Sequence, residues 1–188
     1  QDPQFTTSFA GMTYTNPSFS GSDTMGTVFI AHRNQWPKLE GTYQTTVFGY
    51  SQYLSRTNSY SGFHFMYDKA GAITTQRFTF NYAQNIKIKK LLLRPAFEVV
   101  YFNNEIDWSQ LSFGDQIDPR QAQGFVYSTG DVPGGGSVTN LDFNTGMLAS
   151  LYNVTLGISI HHLTKPNEGL LTGDSPLPRK TGIYLGYD

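Results

Sequence analysis

The stretch NVTLGISIHHLTKPN, residues 153–167, alternates strictly between apolar and small or polar side chains. One side of an extended chain would carry Val154, Leu156, Ile158, Ile160 and His162, and the other side would carry Asn153, Thr155, Gly157, Ser159 and His161. Successive side chains of a β-strand point to opposite faces, so the pattern predicts a strand with one apolar and one polar face. A soluble β-sandwich would bury the apolar face, whereas an outer-membrane β-barrel would turn it to lipid.

The composition favours the membrane. Charged residues make up 14% of the chain, against roughly 25% in an average protein, and aromatic residues reach 15%. The formal net charge is −1 and no basic stripe is present, so nothing points to nucleic acid. No run approaches the roughly 18 apolar residues of a transmembrane helix. The absence of cysteine excludes disulfides, thiolate zinc sites and cysteine nucleophiles.

Period-2 segments follow one another along the chain without helical periodicity between them. Most are near ten residues, a length that spans the apolar band of about 25 Å in an outer-membrane barrel when the strand is tilted. Soluble strands are more often about five or six residues long. We therefore predict an all-β, antiparallel, up-and-down transmembrane outer-membrane β-barrel. Its eight strands within this chain are predicted at 27–36, 45–54, 61–68, 77–86, 94–103, 142–152, 154–163 and 181–187.

The connections divide by length between the two ends of this meander. The two longest, 104–141 and 164–180, fall on the same end, as expected for long extracellular loops opposite short periplasmic turns. Residues 1–25 lack clean alternation and are predicted to be an irregular leader, followed by the barrel at 26–188. The first residues, QDPQFTT, are interpreted as a mature end left after signal cleavage. The chain stops without the terminal aromatic residue usual in such barrels, so we expect a larger barrel with further strands.

The alternation also assigns the faces of individual strands. In the strand 77–86, Phe78, Phe80 and Tyr82 are predicted to face lipid, opposite Thr79, Asn81 and Ala83. In the strand 142–152 the lipid face would carry Phe143, Thr145, Met147, Ala149 and Leu151, and the lumen face Asp142, Asn144, Gly146 and Ser150, with Leu148 as the apolar exception.

Six motifs occur in a fixed order along nearly the whole chain: QDPQFT (1–6), NPSFSGS (16–22), HRNQWP (32–37), MYDKAG (66–71), SFGDQID (112–118) and HHLTKPN (161–167). In this the chain resembles the PorP/SprF family of outer-membrane proteins of the type IX secretion and gliding-motility system. It departs from the family's usual NPAYAG at NPSFSG and from its frequent QP at Lys165-Pro166, which leaves the subfamily open. The resemblance implies a non-enzymatic barrel in the bacterial outer membrane. Such a barrel works with the secretion machinery and binds or anchors secreted surface proteins, including adhesins with a C-terminal sorting domain.

The chemistry-bearing residues predict no enzyme, no cofactor and no metal site. His161 and His162 would point to opposite faces of a strand and so could not chelate one ion together. Ser159 and His161 share a face, as a hydrolase would need, but lumen-lining polar residues are the simpler interpretation. The Gly-rich GDVPGGGS lacks the Lys-Ser/Thr of a phosphate-binding loop and is predicted to be a flexible extracellular loop.

The long connection after the fifth strand carries the candidate partner-binding residues. Trp108 and Phe113 lie there among the acidic residues Glu105, Asp107, Asp115 and Asp118. Solvated loop charges are one interpretation, and a surface that docks another protein through its aromatic residues is the other. We predict a partner-binding site of Trp108, Phe113, Asp115, Asp118 and His161. A diffusive porin-like channel and a soluble carbohydrate-binding β-sandwich remain the alternatives.

Overall fold

The structure is a computed structural model that describes residues 15–20, 26–38, 41–116, 135–171 and 173–187. Within these residues, nine antiparallel strands form one sheet that curls into a half-barrel. Each strand of the main path, β1-β2-β3-β4-β6-β7-β8-β9, lies beside the strand that precedes it, and the short β5 also pairs with β6. The strands are β1 (Thr27–Gln35), β2 (Tyr43–Leu54), β3 (Ser59–Ala70), β4 (Ile73–Gln84), β5 (Ile86–Ile88), β6 (Leu91–Ile106), β7 (Ser137–Leu151), β8 (Val154–His161) and β9 (Lys180–Tyr187).

The predicted all-β meander of eight long strands is confirmed, although several strands are longer than predicted. β6 continues to Ile106 and β7 begins at Ser137, so part of the connection predicted at 104–141 is paired sheet. Glu105, predicted in that loop, therefore lies in β6 opposite Ser137. The predicted boundaries were wrong here because polar residues at a strand end resemble a loop in sequence, while the backbone pairing continues past the apolar segment.

The two faces of the sheet differ as predicted. In β4, Phe78 and Phe80 are 51% and 54% exposed, whereas Thr79 and Asn81 between them are 3% and 2% exposed. β7 alternates in the same way, with Met147 and Leu151 exposed and Asp142 and Asn144 buried. Leu148, the predicted apolar exception, is buried on the inner face. A soluble sandwich buries the opposite set, so this arrangement is consistent with part of an outer-membrane β-barrel.

Aromatic side chains on the outer face contact one another across neighbouring strands. Phe65 of β3 lies 4.7 Å from Phe78 of β4 between ring centroids, and Phe78 lies 6.4 Å from Tyr101 of β6. Phe97 and Phe143 stack at 5.7 Å further along the sheet. Cross-strand pairs of this kind stabilise a sheet by about 0.2–1 kcal/mol each. The outer face thus carries aromatic contacts from β3 to β7.

Hydrogen bonds pair some of the polar groups on the buried inner face. Asn144 Nδ2 of β7 donates to Glu98 Oε1 of β6 at 2.6 Å, and Glu98 is 4% exposed. A buried polar group costs free energy unless it is paired, so such contacts allow a polar interior to persist.

A short N-terminal segment lies against this inner face. Asn16 caps a 3-10 helix (Pro17–Phe19) by accepting a hydrogen bond from Ser18 N at 2.9 Å. The helix contacts β4, β6 and β7, and Asn16 Nδ2 donates to Ile158 O of β8 at 3.2 Å. A Cβ at Gly146 of β7 would fall on Asn16 Oδ1. The glycine therefore permits the close approach, and residues 15–20 fill part of the interior. The rest of the leader, 1–14 and 21–25, lies outside the described residues.

No helix within the described ranges has the length and apolar character needed to cross a membrane.

Candidate functional site: the loop end of the sheet

The two long connections meet at one end of the sheet, as predicted from their positions in the up-and-down meander. The connection between β6 and β7, which we call the fifth connection, spans residues 107–136. The connection between β8 and β9, which we call the seventh connection, spans residues 162–179. Gly136 N of the fifth donates to Leu170 O of the seventh at 3.2 Å. The base of the fifth connection is also tied down, because Asp107 N donates to Ala72 O in the β3–β4 turn at 2.8 Å. These contacts join three connections into one surface, which we call the loop end.

Trp108 and Phe113, both predicted partner-binding residues, are brought together at the loop end. Their ring centroids lie 6.4 Å apart with an interplanar angle of 34°, and both side chains are half-buried. Trp108 Nε1 donates to Gly135 O at 3.3 Å. The φ of Gly136 is 109°, and a Cβ there would collide with the indole. Glycine is thus required both by the backbone conformation and by the packing of Trp108.

A capped turn holds Trp108 in place. Asp107 is the N-cap of a 3-10 helix (Trp108–Gln110) and accepts hydrogen bonds from Ser109 Oγ at 2.6 Å, Ser109 N at 3.1 Å and Gln110 Nε2 at 2.6 Å. These bonds, with that from the Ser109 hydroxyl the largest, hold the pKa of the Asp107 carboxyl below its ordinary value. Asp107, from the predicted acidic cluster, therefore orders the loop.

Of the other acidic candidates, Asp115 lies in the described part of the loop. Asp115 is exposed in a second 3-10 helix (Gly114–Gln116) that follows Phe113 directly. Asp118 lies outside the described residues, and Glu105 belongs to the sheet. The structure thus places Trp108, Phe113 and Asp115 in one ordered segment at the loop end.

His161, the fifth predicted site residue, makes an internal contact. It is 6% exposed at the end of β8, and its Nε2 lies 3.0 Å from Thr15 O. Ser159 Oγ donates to the same carbonyl at 3.0 Å. The two side chains that share a face thus hold the N-terminal segment, and the partner-binding role predicted for His161 stays a prediction.

His162 was predicted on the aliphatic face, and this assignment is wrong. β8 ends at His161, and His162 has a φ of 59°. The side chain consequently turns inward, where it is 6% exposed and its Nδ1 lies 2.6 Å from Asp142 Oδ2. Strict alternation fails at this point because a left-handed residue reverses the direction in which the side chain points.

Asp142 is the functional-site residue that the sequence reasoning missed. Besides His162, it accepts hydrogen bonds from Thr164 Oγ1 at 2.6 Å and from Phe143 N at 2.8 Å. His162 N donates to Asn144 Oδ1 at 2.9 Å, so β7 holds the start of the seventh connection at several points. Further along that connection, Asn167 Oδ1 accepts from Gly169 N and Ser175 N. The HHLTKPN motif therefore orders the loop. In the sequence, this role was indicated only by the presence of the motif.

No cluster of three or more histidine or acidic side chains that could hold a metal ion occurs in the part of the chain that the structure describes.

A family model described as type IX secretion system membrane protein PorP/SprF matches residues 1–188. Searches of curated proteins and of solved structures returned no match.

Proposed function

Because this chain belongs to the PorP/SprF family of type IX secretion system membrane proteins, we propose that it is an outer-membrane barrel component that holds a secreted surface protein at the cell exterior. The partner would be an adhesin or similar protein that docks through its C-terminal sorting domain, with other components of the machinery as further contacts. The observation that carries the proposal is the ordered aromatic pair Trp108–Phe113 at the loop end.

The loop end has the properties of a docking surface. Tryptophan and other large aromatic residues supply much of the binding energy in protein interfaces, and charges at the rim influence encounter rate and specificity. Trp108 and Phe113 keep part of their surface exposed, and Asp115 lies beside them. Backbone hydrogen bonds already order this segment, which reduces the entropy lost on binding.

The N-terminal segment argues against an open channel in this part of the barrel. Pro17 and Ser18 are buried against the inner face, and Phe19 contacts Tyr184 of β9 at 4.9 Å between ring centroids. A diffusive pore needs a hydrated path along that face. An anchoring role requires no such path, so the N-terminal segment packed against this part of the inner face supports the docking function.

The test is retention of the cognate secreted protein on whole cells. A Trp108→Ala/Phe113→Ala double variant should lose most of the retained protein, because interface anchors of this type typically cost about 2 kcal/mol or more when truncated. The matched control is Tyr152→Ala, which removes an exposed aromatic side chain, 74% accessible, from the β7–β8 turn at the opposite end.

Surface exposure is measured in parallel on single-cysteine variants, since the chain has no cysteine of its own. Leu111→Cys in the fifth connection should react with a membrane-impermeant maleimide on intact cells, and Tyr152→Cys should not. Full retention by the double variant, with Leu111→Cys labelled, would refute docking through this pair.

A further inference from the structure

The three short turns opposite the loop end carry cations and no carboxylate. They are the β2–β3 turn (55–58, SRTN), the segment from β4 to β6 (85–90, NIKIKK) and the β7–β8 turn (152–153, YN), and we call them the turn end. In the described part of the chain, none of their four cations forms an ion pair. All four are exposed: Arg56, Lys87, Lys89 and Lys90. The long connections of the loop end, by contrast, carry both signs of charge.

Hydrogen bonds join the three turns to one another. Asn85 N donates to Asn58 O at 3.0 Å, and Asn58 Nδ2 donates to Asn85 O at 3.2 Å, so the turn that carries Arg56 is fixed against the lysine-bearing segment. Lys90 Nζ donates to Tyr152 Oη at 3.3 Å and lies 4.9 Å from the centroid of its ring, which attaches the third turn. The backbone that presents the cations is thus arranged in advance, which reduces the entropy lost when an anion binds.

A row of apolar and aromatic side chains on the outer face ends directly beside these cations. Its members lie opposite one another in register across β5, β6, β7, β8 and β9: Ile88, Leu91, Leu151, Val154 and Tyr187. Ile88 and Leu151 are 53% and 44% exposed. Lys89 and Lys90 connect Ile88 to Leu91, so the cations come directly after the last outward apolar side chains of this hairpin.

Tyrosine hydroxyls on the outer face mark the level at which polar groups begin. Tyr50 Oη of β2 donates to Gln52 Oε1 at 3.0 Å, and Tyr82 Oη of β4 donates to Gln84 Oε1 at 2.8 Å. In both strands the glutamine lies two residues nearer the turn end, so both hydroxyls are directed toward it. Tyrosines with an apolar ring and a polar tip are typical of the boundary between acyl chains and headgroups.

We propose that the turn end binds the phosphate of an anionic glycerophospholipid. A lipid whose acyl chains contact Ile88 and Leu91 has its phosphate at the level of Lys89 and Lys90, because these groups follow one another in the same order in the lipid and in the hairpin. An ammonium group has three N–H donors, and Lys90 uses one of them on Tyr152, so two are left for the phosphate.

The apolar row selects a lipid over an acidic protein. An acidic protein would match the charge of the turn end and leave the row unused, whereas a phospholipid matches both. The short turns are predicted to be periplasmic, so the lipid would belong to the inner leaflet of the outer membrane. This contact would hold the turn end at the headgroups, and it does not depend on docking at the loop end.

Binding is measured on the full chain in phosphatidylcholine nanodiscs by energy transfer. The donor is attached to Ser55→Cys in the β2–β3 turn, and the acceptor is a tail-labelled phosphatidylglycerol or phosphatidylcholine at the same low mole fraction. Phosphatidylglycerol should be enriched about fivefold over phosphatidylcholine, which corresponds to about 1 kcal/mol. Lys89→Gln/Lys90→Gln should bring the ratio close to one.

The matched control is Lys38→Gln/Lys165→Gln, which removes two exposed lysines from the connections at the loop end and should keep the preference. Lys89→Arg/Lys90→Arg retains both charges and should keep it as well. Circular dichroism checks that all variants retain their strand content.

Equal transfer to the two lipids overturns the proposal, as does a preference that survives in Lys89→Gln/Lys90→Gln or is lost in the arginine variant. A fluorescent hexaglutamate peptide is the alternative probe. Its binding in the absence of a lipid preference would assign the turn end to an acidic protein and overturn the lipid. Labelling of Tyr152→Cys on intact cells would place the turn end outside the cell and overturn the inner leaflet as the source.

Discussion

The outer and inner faces of this sheet reverse the arrangement of a soluble protein. The outer face exposes aromatic rings such as Phe78 and Phe80, while the inner face buries Asn81, Glu98 and Asn144. Each face is stabilised by a different interaction. Apolar area in contact with lipid tolerates many apolar side chains, whereas the inner face depends on particular hydrogen bonds and close contacts. We therefore expect the outer face to tolerate a substitution when the new side chain is apolar. We expect the inner face to tolerate one only when the new side chain fits the available space and keeps the hydrogen bonds.

The largest effect is expected from a charge on the outer face. Phe78→Arg should cost about 2–4 kcal/mol in assembly, because a guanidinium near the middle of the bilayer loses its hydration. The adjacent Arg77 is accommodated on the inner face, so the side chain's direction and not its charge is decisive. The measurement is the folded fraction in lipid vesicles, by resistance of the folded form to detergent denaturation. Phe78→Leu, which keeps the face apolar, serves as the control, and equal folding of the two variants would contradict the outward assignment.

A smaller effect is expected from one added methyl group on the inner face. Gly146→Ala should destabilise the protein by about 1–3 kcal/mol, because its Cβ would overlap Asn16 Oδ1 and crowd Ser18 Oγ. Urea unfolding in detergent measures the change. Gly114→Ala is the matched control, since a Cβ at that position would meet nothing within 4 Å.

The double variant Gly146→Ala/Asn16→Gly isolates the contact between the N-terminal segment and β7. Removing the Asn16 side chain clears the space that the new methyl group needs, so part of the lost stability should return. If the two single effects simply add, the N-terminal segment does not occupy this position.

The smallest effect is expected from removing one hydroxyl at the loop end. Thr164→Val removes the donor to Asp142 Oδ1 and should cost about 1 kcal/mol. His162 and Phe143 N continue to contact the carboxylate, which limits the loss. Thermal unfolding in detergent measures it, with Thr74→Val on the outer face of β4 as a control that should change little. A Thr164→Val variant as stable as the wild type would show that the Asp142 contacts do not hold the seventh connection.

Much of this architecture was predictable because a strand encodes its two faces locally. Alternation in β4 and β7 correctly identified which side chains lie outside, including Leu148 as an exception inside. Alternate connections of an up-and-down meander lie at the same end of the sheet, and this correctly predicted that both long loops lie at one end. Boundaries were less certain, since the ladder that pairs Glu105 with Ser137 depends on a partner strand more than thirty residues away.

The candidate site was only partly accessible to the same reasoning. Trp108 and Phe113 were identified by residue type and by their place in a long loop, and their proximity required the Asp107 cap and Gly136. In the sequence, nothing distinguishes Asp142 from the other polar residues predicted to face the lumen. Its importance arises only when the chain reverses at His162 and brings Thr164 onto the same carboxylate.

By itself, the sequence determined the number of long strands, the faces they present and the end at which the long loops lie. These properties depend on side-chain alternation and connection length, both of which are local. The tertiary structure decided what fills the interior, where His161 holds Thr15 and Gly146 admits Asn16. It also brought five side chains from five strands into one row on the inner face: Arg33, Thr45, Asp68, Thr75 and Asn104. Those arrangements depend on pairing register between distant segments, and a single strand's pattern carries no information about the residues that will lie opposite it.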